Sequence, residues 1–113
     1  MKHLRKRICK IIDELVNYML SIEATNINVN IENKADHYII TIKSDYSEEK
    51  YKRIEKLMRA LTSPKTEEIE EYYWELTGES DTDTELYLVG MMVDKSEISI
   101  VDNMLELKLY KCK

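Results

Sequence analysis

The chain has 113 residues, of which 43% are hydrophobic and 35% are charged, with 2 Gly and 1 Pro. This length fits one domain over residues 1–113, and the composition excludes disordered, collagen-like and low-complexity classes. The formal net charge is −5, and residues 66–85 carry nine acidic side chains with no Lys or Arg. Because these charges repel polyphosphates, we expect no nucleic-acid partner. No stretch approaches the ~20 apolar residues that span a bilayer, so we expect a cytoplasmic protein without membrane contact.

Hydrophobic spacing predicts the first elements in chain order. Apolar residues at three- and four-residue steps predict an amphipathic helix over residues 3–22. Strict alternation in NINVNIE predicts a strand over 26–32 that is apolar on one face only. Alternation returns in HYIITIK, residues 37–43, so the two strands are expected to form an antiparallel hairpin.

The middle of the chain has the spacing of three helices. A capping box of Asp45 and Glu48 precedes a second helix over residues 48–62. A third helix is expected over 64–77, where Pro occupies the first turn. A fourth helix, over about 82–93, opens at another capping box and has an apolar stripe that includes a glycine.

Two more alternating segments end the chain, at residues 96–101 and 104–110, around an Asp102-Asn103 turn. The predicted order is therefore α-β-β-α-α-α-β-β. Because each strand is apolar on one face, we expect an α+β fold, a two-layer α/β sandwich whose helices cover one face of the sheet.

This order and two stretches of sequence resemble the ATP-binding domain of the histidine-kinase-like ATPase superfamily, the GHKL or Bergerat fold. One stretch is LYLVGMMVDKSEISIVDNMLELKLYK, residues 86–111, which is similar to the family's final helix-strand-strand unit. The other covers residues 11–45, which are similar to the helix with the family's N-box and the hairpin behind it. The resemblance implies a GHKL-like sheet and a bacterial signalling context.

The family's N-box places a Glu that positions water and, four residues later, an Asn that ligates magnesium. Laying ELVNYML on this pattern puts Glu14 at the acid position and Tyr18 at the Asn position. A shift by one residue instead pairs Asp13 with Asn17. Helical periodicity favours the first register, in which Tyr replaces the magnesium ligand.

The family's two glycine boxes are also altered. Either Ser44 or Asp45 stands where the family has the Asp that binds adenine, and no glycine follows. In the last box, Asp81, Asp83 and Glu85 stand at the three glycine positions that shape the phosphate cradle. The resemblance therefore implies a degenerate nucleotide site that repels triphosphate.

Other chemistry-bearing residues are sparse. Cys9 and Cys112 form no C-x-x-C motif, and the two His are isolated, so we expect reduced structural thiols and no metal site. The acidic third helix is either a solvated face or a partner surface. Its candidate contact residues are Glu67, Glu68, Glu71, Trp74 and Glu75.

These observations favour a degenerate, catalytically inactive member of the superfamily without a cofactor. It would act as a protein-binding or regulatory module in bacterial signalling, with a protein partner or as a homodimer. The alternative is a divergent ATP-binding domain of the anti-sigma or sensor-kinase type, which would use ATP with Mg²⁺. A third interpretation is an α+β interaction protein without ATPase ancestry, which a sheet unlike the superfamily's mixed sheet would favour.

Overall fold

A computed structural model describes residues 3–62, 86 and 89–113 of the chain. Its elements are α1 (Leu4–Ser21), β1 (Ile27–Asn33), β2 (His37–Asp45), a 3-10 helix (Glu48–Lys50), α2 (Tyr51–Thr62), β3 (Lys95–Val101) and β4 (Met104–Cys112). Both hairpins and the first two helices are thus confirmed, while the third predicted helix lies outside the described residues. No helix in the described part is long and apolar enough to cross a membrane.

The four strands form one sheet in the order β1-β2-β4-β3, and every neighbouring pair is antiparallel. In its centre, Ile40 lies opposite Leu109 and Ile42 lies opposite Leu107. Directly opposed residues share a face of the sheet, so these apolar side chains form a single surface. The fold is therefore α+β with a four-stranded antiparallel sheet.

The core lies on this apolar face of the sheet. The buried cluster combines side chains from the sheet with others from α1 and α2, because each helix turns one apolar stripe inward. Burying each such side chain contributes roughly 1.5–3 kcal/mol to folding. The central members are Ile11, Leu15 and Met19 of α1, Ile54 and Leu57 of α2, and Ile40, Ile42, Leu105, Leu107 and Leu109 of the sheet.

A helical segment that comprises residues 86 and 89–92, here the Val89 segment, packs against α2. The predicted stripe of the fourth helix is buried at each of its described positions, Leu86, Val89, Gly90 and Val93. A Cβ atom at Gly90 would lie 2.3 Å from the backbone oxygen of Ala60. Glycine is therefore required there, since any side chain would push the two backbones apart.

The second hairpin has the expected turn. Asp102 and Asn103 have φ angles of 51° and 63°, the left-handed values of a tight two-residue connection. Asp and Asn tolerate this conformation better than other residues with a Cβ atom. The Asn103 side-chain amide also donates to Glu48 Oε1 at 3.2 Å, which ties the turn to the 3-10 helix.

Two expectations for the first hairpin need correction. The predicted Asp45–Glu48 capping box is wrong, because Ser47 precedes the 3-10 helix and the Asp45 carboxylate binds the start of β1 instead. The apolar face of β1 is also less covered than alternation suggests. Val29 and Ile31 are 40% and 49% exposed, because β1 is the edge strand and only β2 lies beside it among the described strands.

Candidate functional site

The described residues include five of the eight positions of the predicted nucleotide site. Glu14, Asn17 and Tyr18 lie on α1, and Ser44 and Asp45 lie at the end of β2. The other predicted positions lie outside the described residues. These are Asp81, Asp83 and Glu85 of the phosphate cradle and Glu67, Glu68, Glu71, Trp74 and Glu75 of the acidic surface.

Tyr18, at the magnesium-ligand position, is completely buried between α1 and α2. Its hydroxyl donates a hydrogen bond to the backbone oxygen of Arg53 at 2.8 Å. The Arg53 guanidinium carbon lies 5.0 Å from the centre of the tyrosine ring, which is within the range of a cation–π contact. The side chain therefore joins the two helices.

Glu14, at the acid position, forms an ion pair with Lys10 one helical turn earlier. The Lys10 Nζ to Glu14 Oε1 distance is 2.7 Å, and only 13% of the Glu14 side chain is exposed. Such i,i+4 pairs stabilise a helix by about 0.3–0.5 kcal/mol. Asp13 and Asn17, the pair in the alternative register, are both exposed on α1.

Asp45, one of the two candidates for the adenine contact, accepts hydrogen bonds from the connection between α1 and β1. Its Oδ1 accepts from the backbone N–H groups of Thr25 at 2.8 Å and Asn26 at 3.0 Å, and its Oδ2 accepts from the Thr25 hydroxyl. The hydroxyl bond and then the two backbone bonds lower the pKa of Asp45 below its ordinary value of 3.8. Asp45 therefore fastens the start of β1 to the end of β2 as an anion.

Ser44, the other candidate, lies on the opposite face of β2 from Asp45 because successive side chains of a strand alternate. It is fully buried, and its hydroxyl donates to the backbone oxygen of Asp45 at 2.8 Å. It lies opposite Leu105 in the sheet register, on the side of the core. Of the two candidates, Ser44 is therefore closed off from solvent, and Asp45 is the one near the surface.

These positions are held by different neighbours. Tyr18 is held by α2, Glu14 by its own helix, and Asp45 by the residues before β1. A buried phenol and two engaged carboxylates thus stand at the positions that the resemblance assigned to magnesium, water and adenine contacts. Each of the three contributes to the fold through interactions within the chain.

The outer face of the sheet holds a shallow depression of about 550 Å³ that the sequence reasoning did not single out. The alternating polar positions of the strands were its only sequence signal, and they are equally typical of a plain solvated face. Its charges have both signs, so it presents no uniform field to an anion. It is lined by Asn28, Val29, Asn30, Glu32, Thr41, Lys43, Glu106 and Lys108.

Comparisons with protein-family models, with curated proteins and with solved structures find no match for this chain. Its functional interpretation therefore depends on the geometry described above and on the resemblance in the sequence.

Proposed function

We propose that the chain is a non-catalytic protein-binding or regulatory module of bacterial signalling that acts in the cytoplasm. In this proposal it is a two-layer α/β sandwich without nucleotide chemistry, whether or not it descends from the GHKL ATPases. The hydrogen bonding of Asp45 carries the proposal, because the carboxylate at the adenine position is engaged by the protein itself.

The amino group of adenine would have to compete for this carboxylate. Asp45 already accepts from two backbone N–H groups and one hydroxyl, and both of its oxygens are engaged. Charge-assisted hydrogen bonds of this kind are roughly twice as strong as neutral ones. Displacing them would also release the start of β1 from the end of β2, so nucleotide binding would oppose the fold.

The magnesium position is equally unsuited to its original role. Mg²⁺ needs oxygen ligands near 2.0–2.1 Å in an almost ideal octahedron. The Tyr18 hydroxyl is buried and donates its proton to the Arg53 carbonyl, and reorienting it would break the link between α1 and α2. An ion at this position would leave the partly buried Arg53 carbonyl without its donor, which costs stability.

Kinship with the superfamily is supported by the order of elements and by the similarity of residues 86–111. The described sheet is antiparallel between all neighbouring strands, whereas the superfamily's sheet is mixed. The described sheet thus favours the interpretation of an α+β interaction protein without ATPase ancestry. Binding another protein is common to both interpretations, and it is therefore the function that we propose.

The test is a titration of the purified chain with ATP and ADP, with and without magnesium, followed by thermal shift and calorimetry. A ligand at a hundred times its Kd would stabilise the chain by about 2.7 kcal/mol, a clear shift for a domain of this size. We expect no magnesium-dependent shift up to millimolar nucleotide.

A shift that Asp45→Ala abolishes, and that the control Glu55→Ala on the exposed side of α2 retains, would overturn the proposal. The chain would then be a divergent ATP-binding domain of the anti-sigma or sensor-kinase type. A titration with magnesium and no nucleotide is the blank, because it measures the shift that ion binding alone causes.

A further inference from the structure

The edge strand β1 lacks the features that usually protect an edge. It is seven residues long, pairs with β2 in continuous register without a bulge, and has the sequence INVNIEN. Natural edges are commonly protected by Lys, Pro, bulges or very short strands. Glu32 is the only charged residue of β1, and it pairs with Lys34, just beyond the strand, at 3.0 Å. The other described edge strand, β3, carries a Lys within the strand, which pairs with Glu97 at 3.4 Å.

The backbone hydrogen bonds show which residues of β1 face outward. Lys34 donates its N–H to the His37 oxygen at 2.9 Å, and Asn26 accepts from the Asp45 N–H at 3.4 Å. Since the direction of backbone groups alternates along an antiparallel strand, the even-numbered residues between them face β2. The N–H and C=O groups of the odd-numbered residues, from Ile27 to Asn33, therefore point away from β2, to the edge that no other described strand covers.

The exposed apolar side chains of β1 lie symmetrically about its middle residue. Val29 and Ile31 are on the same face as the core, and they remain 40% and 49% exposed. Asn30 lies between them, at the centre of the strand. A partner strand along this edge would need two apolar side chains, two residues apart, to cover Val29 and Ile31.

We propose that the partner of this edge is the β1 strand of a second copy, antiparallel and related by a two-fold axis at Asn30. In this register Val29 lies opposite Ile31 of the other copy, twice by symmetry, and Ile27 lies opposite Asn33. The outward N–H and C=O groups of the two strands then face each other in four hydrogen-bonded residue pairs. Each pair exchanges two bonds, which gives a ladder of roughly eight hydrogen bonds. The two sheets become one continuous sheet of eight strands with an isologous contact.

The outer face of the strand fits the same register. Asn28 lies opposite Glu32 of the other copy, and Asn30 lies opposite itself, so each pair offers an amide donor to an oxygen acceptor. An axis at Glu32 would instead place two carboxylates opposite each other, which destabilises a sheet. The register centred on Asn30 also pairs all seven residues of β1.

This inference deepens the proposed function, because it names a partner for a protein-binding module, but it depends on β1 alone. It does not depend on the state of the nucleotide site. Failure of the β1 contact would leave the outcome of the nucleotide titration unchanged, and the reverse also holds.

The first test is the oligomeric state of the full chain by sedimentation over about 10 µM to 1 mM. We expect a reversible monomer–dimer equilibrium. Val29→Pro removes an outward N–H and keeps the bonds to β2, so the variant should be monomeric. Asn28→Glu places like charges opposite Glu32 twice and should weaken the dimer about 5- to 10-fold. Adding Glu32→Lys should restore it, and Val101→Glu at the exposed end of β3, opposite Met104, is the control.

The second test is amide hydrogen exchange at low and high protein concentration. In the dimer the amides of Val29 and Ile31 become protected as the concentration rises, whereas those of Asn28 and Asn30 are protected throughout by β2. A chain that stays monomeric at 1 mM would overturn the proposal. A dimer in which the Val29 and Ile31 amides exchange freely, or that Asn28→Glu does not weaken, would overturn it as well.

Discussion

Replacing Asp45 with Ala distinguishes a structural carboxylate from a ligand-binding one. The substitution removes the acceptor for three hydrogen bonds from Thr25 and Asn26. If Asp45 served only to bind adenine, its side chain would contribute nothing to the stability of the ligand-free protein, or would lower it. A residue that fastens β1 to β2 must stabilise the free protein.

The magnitude follows from the exposure of these bonds. Hydrogen bonds to a charged group contribute roughly 1.5–3 kcal/mol each when buried, but water can replace those that Asp45 accepts. We therefore expect Asp45→Ala to lower the free energy of unfolding by about 1–2 kcal/mol in total. The corresponding decrease in Tm is roughly 4–8 °C for a domain of this size.

The assay is urea denaturation followed by circular dichroism, with Asp13→Ala as the matched control. Asp13 is an exposed Asp on α1, and replacing it should change stability by less than about 0.5 kcal/mol. Thr25→Val removes the hydroxyl donor alone and should have part of the effect. If Asp45→Ala were as stable as Asp13→Ala, the carboxylate would have no structural role and the argument from Asp45 would fail.

The same carboxylate makes stability depend on pH. Because the pKa of Asp45 is lower in the folded state than its ordinary value of 3.8, its contribution is complete above that value. The contribution is lost as the pH falls through the lower pKa of the folded state. Asp45→Asn, which cannot ionise, should therefore differ from the wild type more at pH 6 than at pH 2. A difference that is constant over this range would contradict the assignment.

Two other substitutions test the packing around α2. Gly90→Ala places a Cβ atom 2.3 Å from the backbone oxygen of Ala60, and overpacking of about 1–3 kcal/mol should outweigh the ~1 kcal/mol that Ala gains over Gly in a helix. Urea denaturation should show a less stable protein, and a more stable one would refute the close contact. Tyr18→Phe removes the bond to the Arg53 oxygen and should cost about 1 kcal/mol in the same assay, so an unchanged midpoint would contradict that bond.

Local patterns were sufficient for the hairpins and for the two described helices. The alternation of Leu105, Leu107 and Leu109 identified the buried face of β4, since a strand's side chains alternate regardless of what covers them. The Asp102-Asn103 turn was equally predictable, because few residues other than Gly adopt positive φ easily. Such features depend only on neighbours within a few positions in the chain.

The role of Asp45 could not be found in this way. Its donors, Thr25 and Asn26, are about twenty positions earlier, and they become neighbours only when β1 pairs with β2. The capping box is a pattern of residues three positions apart, and Asp45 and Glu48 match it. No residue near Asp45 in the sequence indicates its bonds to Thr25 and Asn26, so the pattern predicted the wrong partner. The solvent exposure of Val29 and Ile31 likewise depends on the position of β1 at the edge of the sheet. The alternation of apolar and polar residues along a strand does not determine that position.

A contact through the edge of β1 requires no catalytic group, so it is compatible with the proposed non-catalytic function. Backbone pairing along β1 uses N–H and C=O groups that every non-proline residue carries. Backbone hydrogen bonds alone would accept many strands, so selectivity must come from side chains. In the proposed dimer Glu32 would provide that selectivity, since a partner strand with an acidic residue opposite Glu32 would form a poorer pair than a second copy of β1, which places Asn28 there.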